Sequence, residues 1–204
     1  MKKLLALLLA AAALSLTACG TQPSASAEQT QTDSQTEQTA EPGTNTDSRI
    51  LIAYFSRTGN TEQLAQMIAD ETGGDLFAIE PETPYPEDYN TLLDTAKTEQ
   101  SENARPAVAN TVENWDDYDV VFLGYPIWWG NAPMLILSFE ESYDWSGKTL
   151  VPFCTSGGSG ISGSLDSVTG SASGATVLDG FHVSGDSVSS AKEDVAAWLN
   201  GLNL

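Results

Sequence analysis

The sequence predicts an α/β domain with a parallel sheet over residues 49–204, and three observations carry that expectation. Apolar runs of strand length recur there, of the kind required by strands buried on both faces. Segments with helical apolar spacing separate them. The strict alternation of the two implies right-handed crossovers and helices on both sides of the sheet. In order, the expected elements are a strand at 50–55, a helix carrying Leu64, Met67 and Ile68, and a strand at 75–80 that the prolines of 81–86 terminate. A polar helix at 87–102 follows, covering the sheet with Tyr89, Leu92, Leu93 and Ala96. Next come a strand at 120–124, an aromatic loop at 125–131, an apolar helix at 133–141 and a strand at 148–154. A short helix at 164–168, a fifth strand at 175–183 and a closing helix at 188–202, with Val195, Trp198 and Leu199 on one side, complete the domain. No internal repeat is present.

The first 48 residues are of another kind. Lys2 and Lys3 precede a Leu- and Ala-rich run at 4–16. These thirteen residues are too few to span a bilayer, which takes about 20, so residues 1–18 read as a secretory signal peptide. The run ends in Leu16-Thr17-Ala18-Cys19, which resembles the lipobox of bacterial lipoproteins. That resemblance implies lipidation of Cys19 and export to the outer face of the bacterial cytoplasmic membrane, with the acyl chains as the only membrane contact. Residues 20–48 hold no Val, Ile, Leu, Met, Cys or aromatic residue, so they read as a disordered tether reaching about 30 Å.

With Cys19 committed to lipid, Cys154 has no disulfide partner. From Arg49 onward six lysines and arginines face twenty-three acids, a formal net charge of −17. Nucleic acid and anionic headgroups are disfavoured partners for such a surface. The single histidine, His182, has no cluster around it that would hold a metal, and reads as a satisfied strand-end residue. Cys154 reads as a buried thiol without a catalytic base.

At the end of the first strand, directly before a helix, stand Ser56, Arg57, Thr58, Gly59, Asn60 and Thr61. The first amides of a helix lack internal partners and its dipole favours an anion, while the hydroxyls add donors and Gly59 permits a tight turn. The competing reading is capping alone, by Thr58 or Asn60, with no ligand. Arg57 either meets the phosphate or points into water.

The run Tyr54-Phe55-Ser56-Arg57-Thr58-Gly59-Asn60-Thr61 resembles the FMN-phosphate motif of flavodoxins. So do, in order, residues 84–89, 124–130 and 152–160 resemble segments of short-chain bacterial flavodoxins, and the likeness covers nearly all of 49–204. It implies a three-layer sandwich, a five-stranded sheet of order 2-1-3-4-5, and FMN at the switch point. Two further loops leave strands at their carboxyl ends, Tyr125-Pro126-Ile127-Trp128-Trp129-Gly130 and Thr155-Ser156-Gly157-Gly158. A tryptophan would stack on the flavin ring and glycine amides would meet its polar edge. Tyr85 and Tyr89 read as turn and packing residues.

No side-chain nucleophile is required, since the flavin carries the chemistry. Three functions fit. The first is a tethered electron carrier that docks to a redox partner protein. The second is an FMN-dependent oxidoreductase passing electrons from NAD(P)H to a quinone-type acceptor, and the third is a flavin-less binding module keeping the fold. The signal has no twin arginine, so flavin would be loaded after export.

Overall fold

The computed structural model describes residues 49–204; the expected signal peptide, Cys19 and the linker lie outside the described residues. The elements are β1 (Ile50–Tyr54), α1 (Asn60–Thr72), β2 (Asp75–Ala78), α2 (Tyr89–Glu102), β3 (Val120–Pro126), α3 (Met134–Glu141), β4 (Thr149–Ser156), α4 (Ser162–Ser171), β5 (Thr176–Val177), β6 (Phe181–Ser184) and α5 (Lys192–Gly201). All pairings in the sheet are parallel, in the order β2-β1-β3-β4, with the fifth position shared by β5 and β6. This is the expected 2-1-3-4-5 sheet.

Side chains alternate across it with a period of two. Along β3, Val120 and Phe122 enter the core beneath α1 and α5, and Val121, Leu123 and Tyr125 enter the core on the opposite face. Phe122 and Leu123 are both fully buried, each contributing about 1.5–3 kcal/mol of apolar transfer. Gly124 ends this run because Phe153 of β4 lies across it: a Cβ there would come 2.2 Å from the ring.

The fifth strand is broken where one was expected over 175–183. Thr176 and Leu178 donate to the carbonyls of Lys148 and Leu150, at 2.9 and 3.0 Å. By alternation the next β4 residue facing this edge is Pro152, which has no N–H to give. The register then slips: Leu150 pairs with Val177 but Phe153 with Phe181, so the edge carries one residue more than β4. Gly180 sits at this bulge because a Cβ there would approach the Pro152 carbonyl to 2.9 Å. The closing helix also starts later than expected, since Gly185–Ser190 form a 3-10 turn. Its serines compete for backbone groups, Ser190 donating its hydroxyl to the Ser187 carbonyl at 3.0 Å.

Glu140 of α3 is fully buried, and neither carboxyl oxygen has a hydrogen-bond partner. Burial holds its pKa well above the ordinary carboxylate range. Its stabilising contribution is therefore complete below the unfolded pKa and is lost as pH rises through the folded one. Urea unfolding between pH 5 and 9 is expected to show a steeper loss of stability with pH in the native chain than in Glu140→Gln. Equal slopes would mean that the carboxyl is solvated.

Candidate functional site

The loop after β1 is fixed at both ends. Phe55 N–H donates to the Gly124 carbonyl at 2.9 Å, and Gly59 N–H donates to Ser56 Oγ at 3.1 Å. Gly59 takes φ 89°, a left-handed conformation open to glycine at little cost. No side chain caps α1, and its first backbone bond runs from Gln63 N–H to the Gly59 carbonyl at 2.9 Å. The amides of Asn60, Thr61 and Glu62 are left without helical partners. Capping by Thr58 or Asn60 is not what the loop does. Thr61 is buried, its Oγ1 2.9 Å from Thr155 Oγ1, which ties the loop to the end of β4. Arg57 does not line the cleft described below; it is partly buried, its Nη2 donates to the Pro86 carbonyl at 3.0 Å, and its Nε is buried without a partner.

In the loop after β3, Tyr125 continues the inward alternation and is fully buried, its hydroxyl 3.0 Å from Ser164 Oγ. Its side chain belongs to the core. Ile127 N–H donates to the Thr155 carbonyl at 2.9 Å, joining this loop to the next. Trp128 and Asn131 then exchange two backbone bonds, of 2.8 and 3.0 Å, around Trp129 at φ 50° and Gly130 at φ 78°. Two positive φ angles define a type I′ turn, and a non-glycine residue there costs about 1–2 kcal/mol. Helix α2 holds the strained turn in place. Trp129 Nε1 donates to the Leu93 carbonyl at 3.0 Å, Lys97 Nζ lies 5.1 Å from the indole centroid, and Gln100 Nε2 donates to the Trp128 carbonyl at 2.7 Å. Trp128 packs edge-on to Phe55 and Tyr85, with centroids 5.5 and 4.9 Å away.

These loops enclose a cleft of about 540 Å³. Thr58, Asn60, Pro126, Ile127, Trp128, Trp129, Thr155, Ser156 and Gly157 line it. Ser56, Arg57, Gly59, Thr61, Tyr125, Gly130 and Gly158 are not among its lining residues. Four residues of α2, Tyr89, Leu92, Leu93 and Ala96, form another wall, with Gly185 and Asp186 from beyond β6. The apolar stripe of α2 was expected to cover the sheet, yet Leu92 and Ala96 belong to neither core cluster and Tyr89 is 68% exposed. Helical periodicity identified the stripe but not what it faces. Gly185 and Asp186 carried no signal beyond their place after a strand's carboxyl end.

An open parallel sheet of this order, with a cleft over the carboxyl ends of β1, β3 and β4, defines the doubly wound class in which ligands bind at the switch point. The chain belongs to the flavodoxin family: the model described as Flavodoxin matches residues 49–202. A crystal structure from Bacteroides eggerthii, of a protein proposed to be a flavoprotein, is 37% identical, with a TM-score of 0.70 over 78% of this chain and 99% of the other. A second such protein, from Bacteroides uniformis, is 32% identical, with a TM-score of 0.68 over 75% and 98% of the two chains. The flavoprotein of Lactobacillus acidophilus in complex with FMN shares the fold at 21% identity, with a TM-score of 0.60 over 73% and 99%. No curated protein matches the chain.

The turn at Trp129-Gly130 gives a direct test. Space is open around Gly130, so Gly130→Ala adds only the left-handed backbone penalty. It is expected to lower stability by about 1 kcal/mol in urea unfolding. An unchanged midpoint would mean that the turn takes another conformation in solution.

Proposed function

We propose that this protein binds FMN in the cleft and passes electrons through it, as a carrier tethered by lipidated Cys19 to the outer face of the cytoplasmic membrane. The observation that carries the reading is the uncapped start of α1, whose free amides stand beside Thr58 and Asn60 at one end of a cleft walled by two tryptophans. A phosphate fits the free amides and the Thr58 hydroxyl, and a flat ring fits between an indole and the backbone of Ser156 and Gly157. The FMN complex of the Lactobacillus relative supports the choice of flavin. Bound flavin supplies the electron chemistry; the chain holds it and excludes water.

No lysine or arginine lines the cleft. Arg49 and Arg105 are in ion pairs with Asp75, Asp117 and Glu141, Lys192 lies 3.9 Å from Glu71, and Lys148 donates to the Trp115 and Tyr118 carbonyls. The phosphate is therefore held by neutral donors within a domain of net charge −17. Screening should relieve the repulsion between the two, so affinity for FMN rises with salt. The same acidic surface suits a basic redox partner protein and disfavours nucleic acid. A second reading rests on the cleft rim, where Tyr89 is 68% and Trp129 51% exposed. An aromatic rim open to solvent suits a planar acceptor such as a quinone, with NAD(P)H as donor, both using the flavin face in turn.

Titration of the purified protein with FMN, followed by flavin fluorescence and the visible spectrum, tests the proposal. Saturable binding that tightens between 20 and 300 mM salt is expected. A folded protein that stays colourless in excess FMN would instead support the flavin-less module. Thr58→Val should weaken FMN about tenfold, the worth of one hydrogen bond to a charged group, and leave riboflavin unaffected. Equal loss for both ligands would place the phosphate elsewhere. Turnover of a quinone with NAD(P)H, without any protein partner, separates the enzyme from the carrier.

A further inference from the structure

Helix α2 carries one ridge to the mouth of the cleft. Tyr89, Leu93 and Lys97 recur at intervals of four residues, so they follow one another along one side of the helix at steps of about 6 Å. Tyr89 and Leu93 line the cleft, and Lys97 stands one turn beyond them. Trp129 lies along this ridge, its Nε1 donating to the Leu93 carbonyl at 3.0 Å and its ring centroid 5.1 Å from Lys97 Nζ. Both aromatic residues remain exposed. Lys97 stands apart among the cations of the described residues. Arg49, Arg105 and Lys192 face carboxylates, while Arg57 and Lys148 donate to backbone carbonyls. Lys97 is exposed and is engaged by the indole alone; Asp94, three residues earlier on the helix, forms no ion pair with it. An ammonium has three N–H donors, and a ring face supplies no acceptor oxygen for any of them. The charge is available to an anion at the mouth.

We propose that Tyr89, Trp129 and Lys97 form an acceptor subsite at the cleft mouth, selecting planar aromatic acceptors that carry an acidic group, such as a sulfonated or carboxylated quinone. The inference rests on the oxidoreductase form of the FMN reading. The rings of the acceptor pack on Tyr89 and Trp129, and its acid meets Lys97, about 12 Å along the helix from Tyr89. A fused-ring system with one acidic substituent spans that interval. In a domain of net charge −17 an anionic acceptor depends on a local cation, whereas a neutral quinone does not. On reduction to the hydroquinone the acceptor gains two electrons and two protons. NAD(P)H, the donor of that reading, supplies a hydride through the flavin, and water supplies the second proton.

Calorimetric titration of the oxidised, FMN-saturated protein with anthraquinone monosulfonate, and with neutral hydroxymethylanthraquinone, tests the subsite without turnover. Saturation with FMN keeps the quinones out of the flavin's own place. In Lys97→Gln the Kd of the sulfonate is expected to rise about fivefold, the upper worth of an exposed ion pair, while that of the neutral quinone stays within about twofold of native. Lys97→Arg keeps the cation and should match the native protein for both. Trp129→Gly removes the ring yet suits the left-handed backbone, and should weaken both quinones, with its fold checked by circular dichroism. Equal weakening of the two quinones in Lys97→Gln would mean that Lys97 only holds the indole. That result, an unchanged sulfonate Kd, or binding of neither quinone to the native protein would overturn the proposal and leave the FMN reading intact. A folded native protein that takes no FMN would overturn that reading, and the acceptor role with it.

Discussion

Burial of β1, β3 and β4 on both faces is the constraint on which the rest of this molecule depends. A strand covered on two sides has no room for charged side chains, and Leu51, Ile52, Phe122, Leu123, Leu150 and Val151 meet that demand with at most 1% exposure. Chemistry is then left to the strand ends. The parallel registers bring three ends together, with Tyr54 beside Gly124 and Pro126 beside Thr155. Two bonds fasten the resulting loops across the sheet, between Thr61 and Thr155 and from Ile127 to Thr155. Thr155 is the junction of both.

What could be read from the sequence follows from the same constraint. Continuous apolar runs fix strands without reference to partners, and a short hydroxyl- and glycine-containing stretch before a helix fixes an anion-binding turn. Facing is another matter. Tyr125 belongs to the loop by position yet to the core by alternation, two residues past Leu123, and the periodic reading would have placed it correctly had it been continued through Gly124. Trp129 sits in a left-handed conformation that bulky residues rarely adopt; the following glycine, the paired bonds between Trp128 and Asn131 and the contacts with α2 hold it there. The wall made by α2 was invisible because an amphipathic stripe looks the same over a sheet and over a cleft. The broken fifth strand was legible in principle, since Pro152 cannot donate to an edge partner, but the direction of its missing bond requires the register.

Charge is distributed with equal economy. The cations of the described segment are engaged by carboxylates, carbonyls or an indole, so the acids elsewhere keep their full field at the surface. A ligand anion entering the cleft meets dipoles and the carboxylate of Asp186, with no lysine or arginine in the lining. Oriented amides and hydroxyls bind an anion without cancelling the domain's negative potential, which any bound heterocycle would therefore experience as well.

The turn at Trp129 is stabilised largely from outside, by Leu93, Lys97 and Gln100. The aromatic wall and the helix beside it consequently behave as one mechanical part. Displacement of α2 would withdraw the indole and leave the turn free to relax, so the width of the opening and the placement of its aromatic surface are coupled coordinates. Anything that grips the outer face of that helix acquires leverage over what the cleft admits.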